Sequence, residues 1–201
     1  MNVKTGHLQF LKEYLSQNNG RITSKDAEQL GIHRMYLKNL TDDGVLMRTG
    51  RGIYQKPDIL NDELYDLQSE YTAGIFSLET ALYLYNLSER APLQWTMTFK
   101  GKYHSEKLKQ RDVIIKFIKD DLYDIEVNEV LSPGKHLVNT YSAERTLCEI
   151  LTPRALCDIQ TISYAYKTYS KWKNRNLQRL LELAKLFKVE NKVRSYIEVL
   201  T

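Results

Sequence analysis

The sequence predicts an α+β protein, on three observations. Two short amphipathic helices meet at Gly31 and run directly into a glycine-containing hairpin. In the middle of the chain, segments that alternate apolar and polar residues, such as Trp95–Phe99, are interleaved with helical patterns. From Asp158 onward the pattern is nearly all helical, broken only at residues 173–176. Together these predict an N-terminal winged helix-turn-helix over residues 1–60. A mixed α/β C-terminal domain follows over residues 61–201, ending in a helical segment.

The N-terminal elements follow in order. Leu8, Leu11 and Leu15 recur at helical spacing, and Asn18-Asn19-Gly20 supplies a stop. Arg21-Ile22-Thr23 reads as a short extended segment. Thr23 and Asp26 have capping-box spacing, with aspartate in place of the usual glutamate. The helix they open turns Ala27 and Leu30 inward and ends at Gly31. A second helix within residues 32–44 has Leu37 and Leu40 as its buried pair. Val45 to Arg48 and Ile53 to Gln55 then read as strands around a tip at Thr49–Gly52.

The second of these helices is the candidate recognition helix. With Leu37 and Leu40 inward, a rotation of about 100° per residue points Met35, Lys38 and Asn39 outward. Arg34 lies on the flank, His33 at the N-terminus, and Tyr36 is divided between core and surface. Lysine and asparagine suit guanine and adenine edges, and Met35 suits a thymine methyl. The same residues would equally serve as solvated polar groups, or the domain as a protein-docking winged helix. The stretch RTGRGIYQKP, residues 48–57, fits a hairpin tip. Gly50 and Gly52 allow positive φ, Arg51 and Arg48 project toward phosphate or the minor groove, and Tyr54 anchors the returning strand. As a nucleotide loop it lacks the third glycine of GxGxxG, and no GK[ST] occurs in the chain.

In the second domain, residues 61–70 predict a linking helix. Ser77 caps a helix with Leu78, Ala81, Leu82 and Tyr85 on one face, running toward Pro92. Trp95–Phe99 predicts a half-buried strand. VIIKFI, YDIEVNEV and LVNTY predict three more, with Asp124, Glu126 and Asn128 on the outward face of the second. Ser142 caps the helix SAERTLCEIL.

Charge is unevenly distributed around a net +4. Residues 151–201 hold ten Lys and Arg against four Asp and Glu, while residues 61–150 hold ten against fifteen. Such clustering is the electrostatic footprint of a polyanion partner, although C-terminal helices also carry solvated lysines. Lys167, Lys171, Lys173, Arg175 and Arg179 form the candidate second phosphate-contacting surface, with Tyr164, Tyr166, Tyr169 and Trp172 as packing residues between them. No apolar run is long enough to span a membrane, and the start lacks a signal-peptide core, which predicts a cytoplasmic protein. Cys148 and Cys157 lack metal-type spacing and are read as reduced thiols.

No catalytic, cofactor or metal site is expected. His7, His33, His104 and His136 are scattered, and Ser142 has no nearby histidine. The carboxylates of residues 120–129 admit a metal-dependent nuclease reading, but Asn128 stands where a lysine is wanted.

Several segments taken together carry a family resemblance. The GRGIY wing followed by a proline, the helix SLETALYLYNLSERAP, the strand opening W-x-M-T-F, and residues 141–151, YSAERTLCEIL, resemble the AbiEi-like antitoxins of bacterial abortive-infection type IV toxin–antitoxin systems. The resemblance spans essentially the whole chain. It implies an antitoxin with a role in phage defence that represses its own operon through the winged helix. It also implies that a nucleotidyltransferase-like toxin is countered through the C-terminal domain. The matching wing positions are Gly50, Arg51, Gly52 and Tyr54, and Glu144–Arg145 looks like a structural signature. Glu149 stands where many relatives would carry aspartate. Antitoxins of this type are classed as acting without a stable toxin complex, so direct contact stays open. The implied DNA partner is a double-stranded operator, with inverted repeats. The other reading is a winged-helix regulator whose C-terminal domain senses a ligand or a partner.

Overall fold

The computed structural model describes residues 3–59, 61–101, 103, 108 and 110–200. His104, and the side chains of His7 and Leu8, lie outside the described residues. The protein is α+β and divides into two compact units. One comprises Met1–Thr72 with Leu131–Val138, the other Ala73–Val130 with Asn139–Thr201. The first unit therefore runs past residue 60, where the sequence pattern placed the boundary, and takes in the helix at 63–70.

In the first unit the order is α1 (Val3–Gln17), β1 (Arg21–Thr23), α2 (Ser24–Gln29), α3 (Arg34–Asp42), β2 (Met47–Gly50), β3 (Ile53–Gln55) and α4 (Glu63–Glu70). This is the element order of a winged helix-turn-helix. The strands form an antiparallel sheet in the order β1-β3-β2. Leu11, Leu15, Ile22, Ala27, Ile32, Leu37, Leu40, Leu46 and Tyr54 make its core. Thr23 and Asp26 close a reciprocal capping box, which starts α2 as the spacing predicted. Leu30 departs from expectation and is exposed. It is the C-cap of α2, and Gly31 at φ +70° turns the chain so that Ile32 enters the core instead.

The remaining elements are β4 (Ile75–Phe76), α5 (Leu78–Leu84), β5 (Trp95–Lys100), β6 (Val113–Ile118), α6 (Asp120–Tyr123), β7 (Val127–Leu131), β8 (Leu137–Tyr141), α7 (Ala143–Glu149), α8 (Ile159–Tyr169), α9 (Leu177–Leu186) and α10 (Glu190–Leu200), all of the second unit except Leu131 of β7 and Leu137–Val138 of β8. The five-stranded sheet has the order β6-β5-β4-β8-β7 and is mixed: β4 is antiparallel to β5, and the pairs β5–β6 and β4–β8 are parallel. A helical layer shares a core built on Leu82, Leu147, Tyr166, Leu180 and Val193.

Three strand and helix expectations are corrected here. β5 is buried on both faces rather than half-buried, because its threonines meet polar groups there. The Thr96 amide donates to Thr80 Oγ1 at 2.8 Å, and Thr98 Oγ1 donates to Ser77 Oγ at 2.8 Å. Ser77 is the N-cap of α5 by position, yet its hydroxyl makes no capping bond, and α5 ends at Leu84 rather than near Pro92. The segment before Val127 is helix and turn rather than strand, with Glu126 at φ +56°.

Arg145 explains the signature around it. Its fully buried guanidinium donates to Glu149 Oε1 at 2.9 Å and to the Leu122 carbonyl at 2.7 Å. It also donates to the Ile125 carbonyl and stacks on the Tyr141 ring. The ion pair runs to Glu149; Glu144 instead accepts from Tyr169 Oη at 2.7 Å. Burial pushes the Glu149 carboxyl up, against the opposing pull of Arg145.

Candidate nucleic-acid interface

The candidate interface is built on α3. His33 occupies the N-cap, where its Nδ1 accepts from the Met35 amide at 3.2 Å, so one ring nitrogen is committed to the helix rather than free for a base. Leu37 and Leu40 are buried, whereas Arg34, Met35, Lys38 and Asn39 are exposed and Tyr36 packs partly against the core. Met35 is 55% exposed.

The wing is tighter than its sequence suggested. Strand β2 starts at Met47, leaving Val45 exposed outside it, and runs on through Thr49 and Gly50. Register shifts between Arg48↔Tyr54 and Gly50↔Ile53, so Thr49 is an extra residue in the manner of a β-bulge. The turn is therefore Arg51-Gly52 alone. Only Gly52 has positive φ, at +74°; Gly50 does not, and what it supplies is close approach to Ile53. The Gly52 carbonyl accepts from the Ser24 amide at 2.7 Å, tying the tip to the start of α2. Tyr54 is in the core.

Arg34, Met35 and Lys38 of α3 share one open groove of about 690 Å³ with Arg48 and Arg51 of the wing, and Gly52 and Tyr54 help line it. Four cations face it against the single carboxylate of Asp42. Among the described residues none of the four is in an ion pair. Arg48 Nε donates to the Gly50 carbonyl at 3.0 Å, bracing the hairpin. His33 and Asn39 lie on the same helix but do not line the groove.

The basic C-terminal residues are described within the second unit. Lys167 closes α8, and Lys171, Lys173 and Arg175 lie in the loop before α9, all exposed. Arg175 also donates to the Trp172 carbonyl at 2.9 Å. Arg179, part-exposed, has its guanidinium held 2.8 Å from both Glu126 and Glu182. Tyr166, Tyr169 and Trp172 are packing residues, as their spacing predicted.

Two buried polar clusters escaped the sequence. Arg21 donates to Asp66 at 2.5 Å. Asp62 Oδ2 lies 2.7 Å from His136 Nδ1, accepts from Ser132 Oγ, and has the Tyr65 ring stacked on the histidine. The Ser132 hydroxyl bonds the carboxylate rather than the imidazole, which is not the arrangement of an activated nucleophile. Cys148 and Cys157 are free thiols, both pushed up to about 12, Cys148 by burial and Cys157 by burial with Glu79 and Asp158. Cys157 lies close to Glu79 and Asp158, and Asp158 caps α8 through Thr161. Among the described residues no helix is long and apolar enough to cross a membrane.

The fold is that of an α+β protein whose N-terminal unit combines short helices with a three-stranded sheet. Residues 9–56, which run from α1 to the last residue of the wing hairpin, Gln55, and one beyond, match the family of transcriptional regulators described as AbiEi antitoxin. Among solved structures, the RV2827C protein from Mycobacterium tuberculosis is similar at 12% identity and a TM-score of 0.51, over 96% of this chain and 81% of that one. That likeness is one of fold. No curated protein matches the sequence.

Proposed function

We propose that this protein is a DNA-binding antitoxin that represses its own operon in the bacterial cytoplasm and counters a nucleotidyltransferase-like toxin in an abortive-infection, anti-phage system. The carrying observation is the groove in which Arg34, Lys38, Arg48 and Arg51 converge from helix and wing with no ion-pair partner among the described residues. Excess positive charge beside an exposed helix face is what a duplex backbone requires, and the exposed Met35, Lys38 and Asn39 supply groups that discriminate bases. The family match over residues 9–56 supports the regulatory part. The antitoxin part rests on the resemblance of the remaining chain to the same family, and the operator is expected to hold inverted repeats. Lys167, Lys171, Lys173 and Arg175 add sequence-independent phosphate contacts.

The test is a promoter-fusion reporter carrying the DNA upstream of the reading frame, with growth rescue beside the neighbouring gene. The intact chain represses and rescues. An Arg34→Ala, Lys38→Ala, Arg51→Ala variant loses repression. Full repression by that variant, or a neighbouring product whose toxicity the chain does not relieve, contradicts the corresponding half of the proposal.

A further inference from the structure

The groove between α3 and the wing holds one residue that a phosphate-binding surface does not call for. Asp42 is exposed at the end of α3, and it lines that groove with Arg34, Met35 and Lys38 of the helix and Arg48 and Arg51 of the wing. Residues 35, 38 and 42 recur at i, i+3 and i+7, so Asp42 continues the outward stripe that Met35 and Lys38 begin. The helix itself gains nothing from this carboxylate. The C-terminal end of a helix macrodipole favours cations, and the last turn of α3 has none. Lysine followed four residues later by an acid is the weaker order for a helical ion pair. Among the described residues Asp42 makes neither an ion pair nor a side-chain hydrogen bond. A carboxylate set against the local electrostatics, and left open beside four cations, breaks a local rule at a binding surface, where such breaks accompany function.

We propose that Asp42 is a specificity-determining residue: its carboxylate accepts from the N4 amine of an operator cytosine and penalises duplexes that present no such donor. The inference rests on the reading of this groove as the operator surface. In the major groove cytosine presents a donor alone, guanine two acceptors, and thymine an acceptor and a methyl, while the donor of adenine stands beside its N7 acceptor. A carboxylate, which only accepts, is therefore satisfied best by cytosine. On other sequences the same group is desolvated without a donor, close to the phosphates that the four cations draw in, and like charges repel. The cations raise affinity for any duplex, and Asp42 subtracts from it except at the matching site. A repulsive element of this kind produces discrimination that attraction to phosphate alone does not.

The experiment compares binding of the full chain, at one salt concentration, to the DNA upstream of its reading frame and to a random-sequence duplex of equal length. Asp42→Ala is expected to bind the random duplex several-fold more tightly than wild type and to lower the operator-to-random affinity ratio at least about tenfold. Asp42→Asn, which keeps the shape and removes the charge, is expected to make the same gain on the random duplex. Misfolding lowers binding to both duplexes and does not produce that gain. Asp43→Ala removes the same charge one position further on, outside the groove lining, and is expected to leave the ratio unchanged. In a scan that replaces each C·G pair of the operator in turn, wild type is expected to lose affinity at a pair to which Asp42→Ala is indifferent. Failure of both Asp42 variants to gain on the random duplex, an equal gain of Asp42→Ala on both duplexes, an equal effect of Asp43→Ala, or a scan that wild type and Asp42→Ala share throughout would each overturn the proposal while operator binding stands. A wild type with no preference for the upstream DNA would overturn the operator reading and this inference with it.

Discussion

Arg21 in β1 and Asp66 in α4 lie forty-five positions apart and are joined by a 2.5 Å hydrogen bond between two buried side chains. The pair attaches the wing sheet to a helix that the sequence assigned to the next domain. Burial pushes the Asp66 carboxyl up, against the opposing pull of Arg21.

Removing one partner leaves the other buried without its opposite charge, so Asp66→Ala is expected to cost about 3–5 kcal/mol. Urea denaturation of the full chain measures it. Arg21→Met combined with Asp66→Leu is expected to recover most of the loss. A single-variant cost within about 1 kcal/mol, the size of an exposed pair, would show that the bridge contributes little.

The two wing glycines are not equivalent. Gly52→Ala forces a side chain into left-handed backbone beside Ser24, at an expected cost of about 1–2 kcal/mol. Gly50→Ala needs only a small shift of the Ile53 side chain and is expected to cost less than half as much. Thermal unfolding of the two variants under one condition decides it; equal losses would contradict the assignment of the turn to Arg51-Gly52.

The Asp62 cluster fixes an acid dependence. Burial would raise this carboxyl, but hydrogen bonds from His136, Ser132 and the Tyr65 amide together hold it below the usual carboxylate range. A lowered folded value means stability fully present above the unfolded value, about 3.9, and lost as pH falls through the folded value. Asp62→Asn keeps the N-cap acceptor and removes the charge. The variant is expected to be less stable than wild type at neutral pH, with the gap closing below about pH 4. A gap independent of pH would rule out the ionised carboxylate as its source. A Cβ at Gly134 would collide with this carboxylate, which accounts for glycine in that hairpin.

How much of this was legible in the sequence follows from the range of the forces involved. The capping box at Thr23, the stop at Asn19-Gly20, the Leu37–Leu40 face and the exposed Lys38 and Asn39 are set by residues within a turn or two of one another, and periodicity reads them directly. The pairings of Arg21 with Asp66, Asp62 with His136 and Arg179 with Glu126 span 45, 74 and 53 positions, and only the folded backbone brings them together. The bulge at Thr49 was missed because two glycines around an arginine fit a four-residue tip as well as a two-residue turn. Both faces of β5 are buried because the Thr98 hydroxyl donates to Ser77 and the Thr96 amide to the Thr80 hydroxyl, which an alternation of Thr with Trp, Met and Phe conceals.

The central claim is that α3 and the wing together read operator DNA. Fluorescence anisotropy of the full chain on the DNA upstream of its reading frame, across a salt series, tests it most directly. Wild type is expected to bind with log affinity falling linearly against log salt. Lys38→Ala is expected to lose about 1–3 kcal/mol and to relax specificity at one base position. Arg51→Ala is expected to weaken binding, and alanine at Lys171, Lys173 and Arg175 to weaken all sequences alike and flatten the salt slope by about one per lost phosphate contact. Unchanged affinity and unchanged slope in the Arg34, Lys38 and Arg51 variants would contradict it.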